Sequence, residues 1–188
     1  RNELRKHISF LTTEFQFNPE ATVFEEIIKG RINFKKKFNP YSDYDRETTA
    51  ALMDEIGISE QAEKRMKTLS DSFIKISLIA RTLNTETDII ALDSPDSGLD
   101  PAQKNVVIRT IKKYVMKGDK VVIIASSDID FLVKLCDRMI ILKDGTIIEQ
   151  GSPSIITEEL IKKVFRINSL IVKNIVTGFP EIHVIDIN

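Results

Sequence analysis

Twenty-seven basic and 28 acidic side chains give this 188-residue chain a formal net charge of −1, with 42% hydrophobic residues. That balance exerts no overall pull toward nucleic acid or anionic lipid, and the length suffices for a single core with or without a subdomain. No apolar run approaches the roughly 20 residues that span a bilayer, and the first residues show no signal-peptide pattern. The one cysteine, Cys136, excludes an internal disulfide, fits a reducing compartment, and reads as a core thiol.

In chain order, Lys6 to Leu11 alternates as a strand and leads through Thr12-Thr13-Glu14 into a loop holding Asn18-Pro19. The chain begins at Arg1 and enters this strand directly, so it reads as a fragment or a processed chain with material N-terminal to it. Thr22 to Ile32 has helical spacing behind a Thr22/Glu25 capping box. Lys35 to Lys37, flanked by Phe34 and Phe38, reads either as a solvated loop or as an anion or partner contact. Asp45 to Ile56 and Ser59 to Met66 are predicted helices with Gly57 as the C-cap between them. A further helix runs to Leu83, with Ser70 or Asp71 as its N-cap.

Ile89 to Leu92 is an apolar run too short for a helix, closed by Asp93 and Ser94-Pro95. It predicts a buried parallel strand ending in a turn. A carboxylate at such a strand end is well placed to bind Mg²⁺ through water beside a phosphate chain. Pro101 then opens a helix to Lys117, Gly118 stops it, and Val121 to Ala125 reads as another buried strand. Asp137 to Lys143, Asp144-Gly145 and Thr146 to Glu149 form a strand, a tight turn and a strand. A helix from Glu158 to Phe165 leads to two short terminal strands, and His7 and His183 read as surface or core residues rather than ligands.

Several of these segments resemble, in order, the motifs of the ATP-binding-cassette (ABC) ATPases. Ile89 to Asp93, Pro95, Leu99 and Asp100 match the Walker B and D-loop pattern of four apolar residues followed by D-E-P-x-x-x-L-D. Leu69, Ser70, Ile79, Ala80, Arg81 and Leu83 match the signature L-S-G-G-Q and its helix. Arg138, Leu142, Gly145, Ile147 and Gly151 meet R-x-x-x-L-x-x-G-x-I-x-x-x-G, and the tail that follows is most similar to importers of iron-siderophores, haem and cobalamin. The resemblance implies an α/β fold with an ABC-type P-loop NTPase core, a largely parallel sheet and a helical subdomain. The N-terminal Walker A portion is missing, since none of the seven glycines is followed by Lys-Ser or Lys-Thr. Residues 1–20 would hold a core strand and the Q-loop, 21–84 the helical subdomain, 85–151 the remaining core, and 152–188 a C-terminal helix and strands.

The same resemblance assigns the site. Asp93 would be the metal residue, and Leu69, Ser70, Asp71, Ser72, Ser97, Gly98 and Asp100 would face nucleotide. Ser94 stands where the family has its catalytic Glu, Ser127 its switch His, and Thr13 its Q-loop Gln, so no catalytic position is intact. ATP and Mg²⁺ are the implied cofactors. A polytopic membrane permease and a second ATPase subunit, identical or related, are the implied partners, and no nucleic acid is. The protein would sit in the cytoplasm on the inner face of the membrane, held by the permease. Three readings follow: an importer ATPase subunit with weak or lost hydrolysis, a non-enzymatic regulatory or scaffold protein keeping the fold, and an active ATPase using Asp96 or Asp128 as base.

Overall fold

Three apolar runs, Ile8–Leu11 (β1), Ile89–Asp93 (β2) and Val121–Ala125 (β3), form a parallel sheet in the order β1-β2-β3. The computed structural model describes residues 7–35 and 39–187. Leu11 pairs with Leu92 and Asp93 with Ala125, so all three strands finish at one level and their following loops gather at one edge. β2 lies in the middle as expected, with Ile90 and Leu92 buried. β3 does not meet the expectation of a buried strand: Val121 and Ile123 are exposed and alternate with half-buried Val122 and Ile124, so one face of this strand is left uncovered.

The helices between β1 and β2 follow from local chemistry. Thr22 caps Val23–Ile28 (α1) by accepting from the Glu25 amide, while Glu25 returns a bond to the Thr22 amide. The helix predicted to Ile32 instead tightens to a 3-10 turn over Lys29–Asn33. Gly30 lies against the last turn of the helix Asp71–Leu83, where an added Cβ would come within 2.3 Å of the Arg81 carbonyl oxygen, so a side chain is excluded. Ser42 caps Asp43–Glu55 (α2) through a second reciprocal box with Asp45, and Gly57, at φ +75°, follows its C-cap Ile56.

Ser59 to Met66 is not an α-helix. It forms two short 3-10 turns, Ser59–Gln61 and Met66–Thr68. Apart from Met66 it has no large apolar side chain to bury, so nothing offsets helix nucleation. The segment bonds instead to the chain entering α1, through Val23 N–H to Lys64 O and Met66 N–H to Ala21 O. Asp71–Leu83 (α3) and Pro101–Met116 (α4) complete this unit, which spans residues 1–127. α1 packs on α2 and α3, and α4 on α3 and β3. Of the predicted strand Lys6 to Leu11 and the basic run Lys35 to Lys37 with its flanking Phe38, Lys6 and residues 36–38 lie outside the described residues.

Residues 128–188 form a second unit. It holds Ile129–Leu135 (α5), the hairpin Met139–Lys143 (β4) and Thr146–Gly151 (β5), Glu158–Phe165 (α6), and the hairpin Ile167–Lys173 (β6) and Pro180–Ile187 (β7). β4 begins at Met139, two residues later than Asp137. Asp144 and Gly145, both at positive φ, close the first hairpin as a two-residue turn. Val133, Met139, Ile141, Ile156, Leu160 and Ile161 form its core, and Cys136 packs against them half-buried, its thiol pushed up by burial and by Asp137. The terminal strands are longer than predicted, at seven and eight residues.

Candidate functional site

The common edge of the sheet carries the residues of interest within residues 1–127. Thr13 lies two residues past β1, Asp93 ends β2 with Ser94 after it, and Ser126-Ser127 follow β3. Thr13 and Ser127 are exposed; Asp93 and Ser94 are half-buried. Ser94 adopts φ +48°, a left-handed conformation that costs a β-carbon-bearing residue on the order of 1 kcal/mol. It is held by its bonds. Its N–H donates to Ala125 O at 2.8 Å, and its carbonyl accepts from Ser97 N–H at 3.2 Å, Ser97 Oγ at 3.0 Å and Lys75 Nζ at 3.1 Å.

Lys75, on the second turn of α3, is the group that inspection of the sequence missed. Its side chain is buried, and its ammonium also donates to Ser97 Oγ at 3.0 Å and lies 5.5 Å from the Phe15 ring centre. Burial pulls its pKa below the ordinary lysine value, while Asp96 and then Asp93 oppose that shift by favouring the charge. The available signal was a cation set among Phe73, Ile74, Ile76 and Leu78 in an otherwise apolar stretch. Asp96 is buried as well and accepts from Ser126 Oγ at 2.6 Å, and Asp93 Oδ1 accepts from Ser94 Oγ at 3.2 Å.

Lys75 ties the signature-like segment to the strand-end turn, and Gln103 Nε2, in the first turn of α4, donates to Ser72 Oγ at 3.3 Å. Asp100 serves α4 as its N-cap, accepting from Gln103 N–H at 2.8 Å, and Gly98 makes the preceding turn at φ +75°. Ser70 stands at the N-cap of α3 without a side-chain capping bond, its hydroxyl pairing instead with Ser72 Oγ at 3.1 Å. The expected side-chain cap is therefore not made by Ser70, and Asp71, exposed in the first turn, helps that helix end by charge alone. Leu69 is half-buried just before it. Asp128, weighed above as a base, accepts from Phe131 N–H at 2.9 Å as the N-cap of α5.

No three His, Cys, Asp or Glu side chains converge for a metal among the described residues, so Asp93 would hold Mg²⁺ only together with phosphate oxygens and water.

A parallel sheet whose loops gather at one edge, with an aspartate ending its central strand and helices on its flank, matches the P-loop NTPase class of fold, to which the similar solved structures below belong. The family model described as ABC transporter matches residues 1–97, and the chain belongs to that family. It is 28% identical over 169 residues to the phosphonates import ATP-binding protein PhnC 2 of Roseobacter denitrificans, covering 88% of this chain and 62% of that protein. It is 30% identical over 155 residues to the energy-coupling factor transporter ATP-binding protein EcfA2 of Staphylococcus epidermidis, covering 79% of this chain and 54% of that one. The chain thus spans little more than half to three fifths of the length of these relatives.

Among solved structures, an inward-facing putative metal-chelate type ABC transporter superposes with a TM-score of 0.79 at 19% identity, covering 95% of this chain and 73% of that chain. That likeness concerns the fold alone. The cbiO1 subunit from Clostridium perfringens, part of the ABC transporter complex cbiONQ, gives 0.68 at 27% identity, covering 86% of this chain and 64% of that chain. No helix among the described residues is long and apolar enough to cross a membrane.

Proposed function

We propose that the chain is the ATP-binding subunit of an ABC-type importer that has kept the cassette's architecture and lost most of its hydrolytic chemistry. The observation that carries this reading is the strand-end edge, where Asp93 remains but hydroxyls stand at Thr13, Ser94 and Ser127. A serine hydroxyl cannot take a proton from water as a carboxylate does, a loss of about 10²-fold or more in turnover. Ser94 is also tied into the turn through its own backbone and through Asp93, so it serves the fold there.

In a pair of such subunits, the signature of one faces the nucleotide of the other. Asp71 would then stand beside a γ-phosphate, at a cost of roughly 3 kcal/mol for one charge pair about 5 Å apart at an effective dielectric near 20. The subunit would dock on a polytopic permease at the inner face of the membrane, dimerising with itself or a related ATPase. The tail's likeness to iron-siderophore, haem and cobalamin importers finds no counterpart in the names of the relatives above, which concern phosphonates and energy-coupling factors. The solute class is accordingly proposed no more finely than an importer substrate delivered by a permease.

Binding of ATP and release of phosphate by the full-length protein, with and without a co-purifying permease, test this. The expected result is binding with turnover about 10²-fold below that of a Ser94→Glu variant. Robust parent turnover, equal to that of the variant, would overturn it. Absence of any nucleotide binding would leave the non-enzymatic scaffold as the reading.

A further inference from the structure

We infer that the groove between α2 and α4 binds a small amphipathic acid, a flat aromatic carboxylate that also carries an N–H or O–H donor. The groove lies away from the nucleotide edge and does not rest on that reading. Asn84 and Glu86 in its lining precede β2, and Lys117 and Lys120 precede β3, a strand length of roughly 16 Å from the turn at Ser94.

The groove offers about 580 Å³, within the roughly 300–1,000 Å³ of small-molecule sites. Tyr44, Thr48, Leu52 and Glu55 follow at steps of four, four and three along α2, so one face of that helix makes a wall. Leu83 lies buried in the floor, and Phe34 and Tyr44 stand exposed near the start of α2. A flat apolar ring fits between them.

Two groups in this lining are unspent. Asn84, 1% exposed at the C-cap of α3, donates through Nδ2 to Ile27 O at 3.1 Å and Thr49 Oγ1 at 2.9 Å, but its buried Oδ1 receives no donor from the described residues. A buried acceptor rarely goes without one. The buried hydroxyls beside it are satisfied, Thr110 by Val106 O at 3.0 Å and Tyr114 by Thr87 O at 2.5 Å. Of the charged side chains, Glu86 pairs with Arg31 at 2.7 Å, Glu55 faces Lys113 at 3.9 Å, and Lys120 donates to Glu86 O at 2.7 Å. Lys117 makes no ion pair or side-chain hydrogen bond among the described residues. A ligand that meets both needs brings a donor to Asn84 and an anion to Lys117, with its ring over Leu52 and Leu83. A cation would find only carboxylates already faced by basic side chains.

Calorimetric titration of the full-length protein with indole-3-propionate tests this, beside 1-methylindole-3-propionate, which lacks the donor, indole, which lacks the anion, and tryptamine, which carries a cation instead. The acid is expected to bind one site with a Kd of about 1 mM or tighter, the level of a ligand this size at ordinary efficiency. The methylated acid should bind at least about tenfold more weakly, because Asn84 Oδ1 then stays without a donor. Indole should bind about three- to fivefold more weakly, as the loss of one exposed ion pair allows, and tryptamine no better than indole. Lys117→Gln should weaken the acid by the same three- to fivefold and leave indole unchanged. Ala51→Phe, at an exposed position of α2 that lines the groove, fills it without touching the core and should abolish binding at an unchanged urea midpoint.

Binding of the acid that survives Ala51→Phe overturns the inference, since the ligand then sits elsewhere. Equal affinity for the acid and its methylated form overturns it, as does tryptamine bound as tightly as the acid. No saturable binding of the acid up to about 10 mM overturns it outright.

Discussion

Replacing Arg31 by Met tests a deeply buried charge in the helical part of the fold. Its side chain is 1% exposed, yet it carries a full guanidinium. Nε donates to Asp45 Oδ1 at 3.0 Å, and one terminal nitrogen reaches Glu86 Oε2 at 2.7 Å and Asn84 O at 3.3 Å. The Phe34 ring centre lies 3.9 Å from Cζ. Burial works against the charge, but Glu86 and Asp45 together outweigh it and hold the guanidinium above its ordinary pKa. Arg31→Met keeps the stem volume and strands Asp45, which is buried and would retain only the Ser42 amide and hydroxyl as donors. Glu86 is a third exposed and can turn to water, so the cost falls mainly on Asp45. Breaking a buried pair from one side costs about 3–5 kcal/mol, a large share of the stability of an ordinary domain. Urea unfolding followed by far-UV circular dichroism, analysed at constant m, measures it. The double variant Arg31→Met/Asp45→Asn, in which the stranded charge is gone, should recover about 1–2 kcal/mol. A loss below about 1 kcal/mol in the single variant, or no recovery in the double, would refute the assignment of Asp45 as the stranded partner.

Asp45 also makes a pH prediction. Burial raises its pKa, but the Ser42 hydroxyl, Arg31 and the Ser42 amide outweigh that and hold it below the ordinary value of 3.8. A depressed carboxylate contributes stability that is present above the unfolded pKa and lost as pH falls through the folded one, so acid unfolding below about pH 4 should be shallower in Asp45→Asn than in the parent. Tyr114, whose hydroxyl donates to Thr87 O at 2.5 Å, is pushed up to about 12 mainly by burial. Absorbance titration at 295 nm should show one of the three tyrosines ionising only near pH 12, and Tyr114→Phe should remove that step and cost about 1 kcal/mol. Asp100→Ala should cost about 1 kcal/mol by uncapping α4, and Asp100→Asn far less, both read from urea midpoints.

Wherever a local signal and the tertiary demand coincided, the sequence was legible. The Thr22/Glu25 box, Pro101 at a helix start, Asp144-Gly145 in a hairpin and Ile89–Asp93 as a central strand each act within a few residues, and each formed where expected. Exposure of β3 was not legible, because an apolar run does not state whether both of its faces are covered. Ser59 to Met66 was misread because its helix-favouring residues carry no apolar stripe, and the backbone of the chain entering α1 competes for its bonds. Lys75 escaped for a different reason. Its partners are 19 and 22 residues away, the first a main-chain carbonyl that no side-chain pattern reveals.

That last contact bears on how the turn after the central strand is held. Asp71 sits exposed in the first turn of α3, where a negative charge is welcome to the helix. Ser94 holds a left-handed turn fixed by four backbone and side-chain bonds, and Asp96 is satisfied by Ser126. Asp71 and Ser94 thus each have a local structural role. The consequence can be tested at Ser94. If the turn is held by its bonds against a conformational cost, Ser94→Gly should relieve that cost and raise stability by about 0.5–1 kcal/mol. Glycine keeps the amide to Ala125 O and the carbonyl that Lys75 and Ser97 hold, and loses only the 3.2 Å bond to Asp93. A urea midpoint lowered by Ser94→Gly at unchanged m would mean that the hydroxyl, and not the backbone, secures the turn.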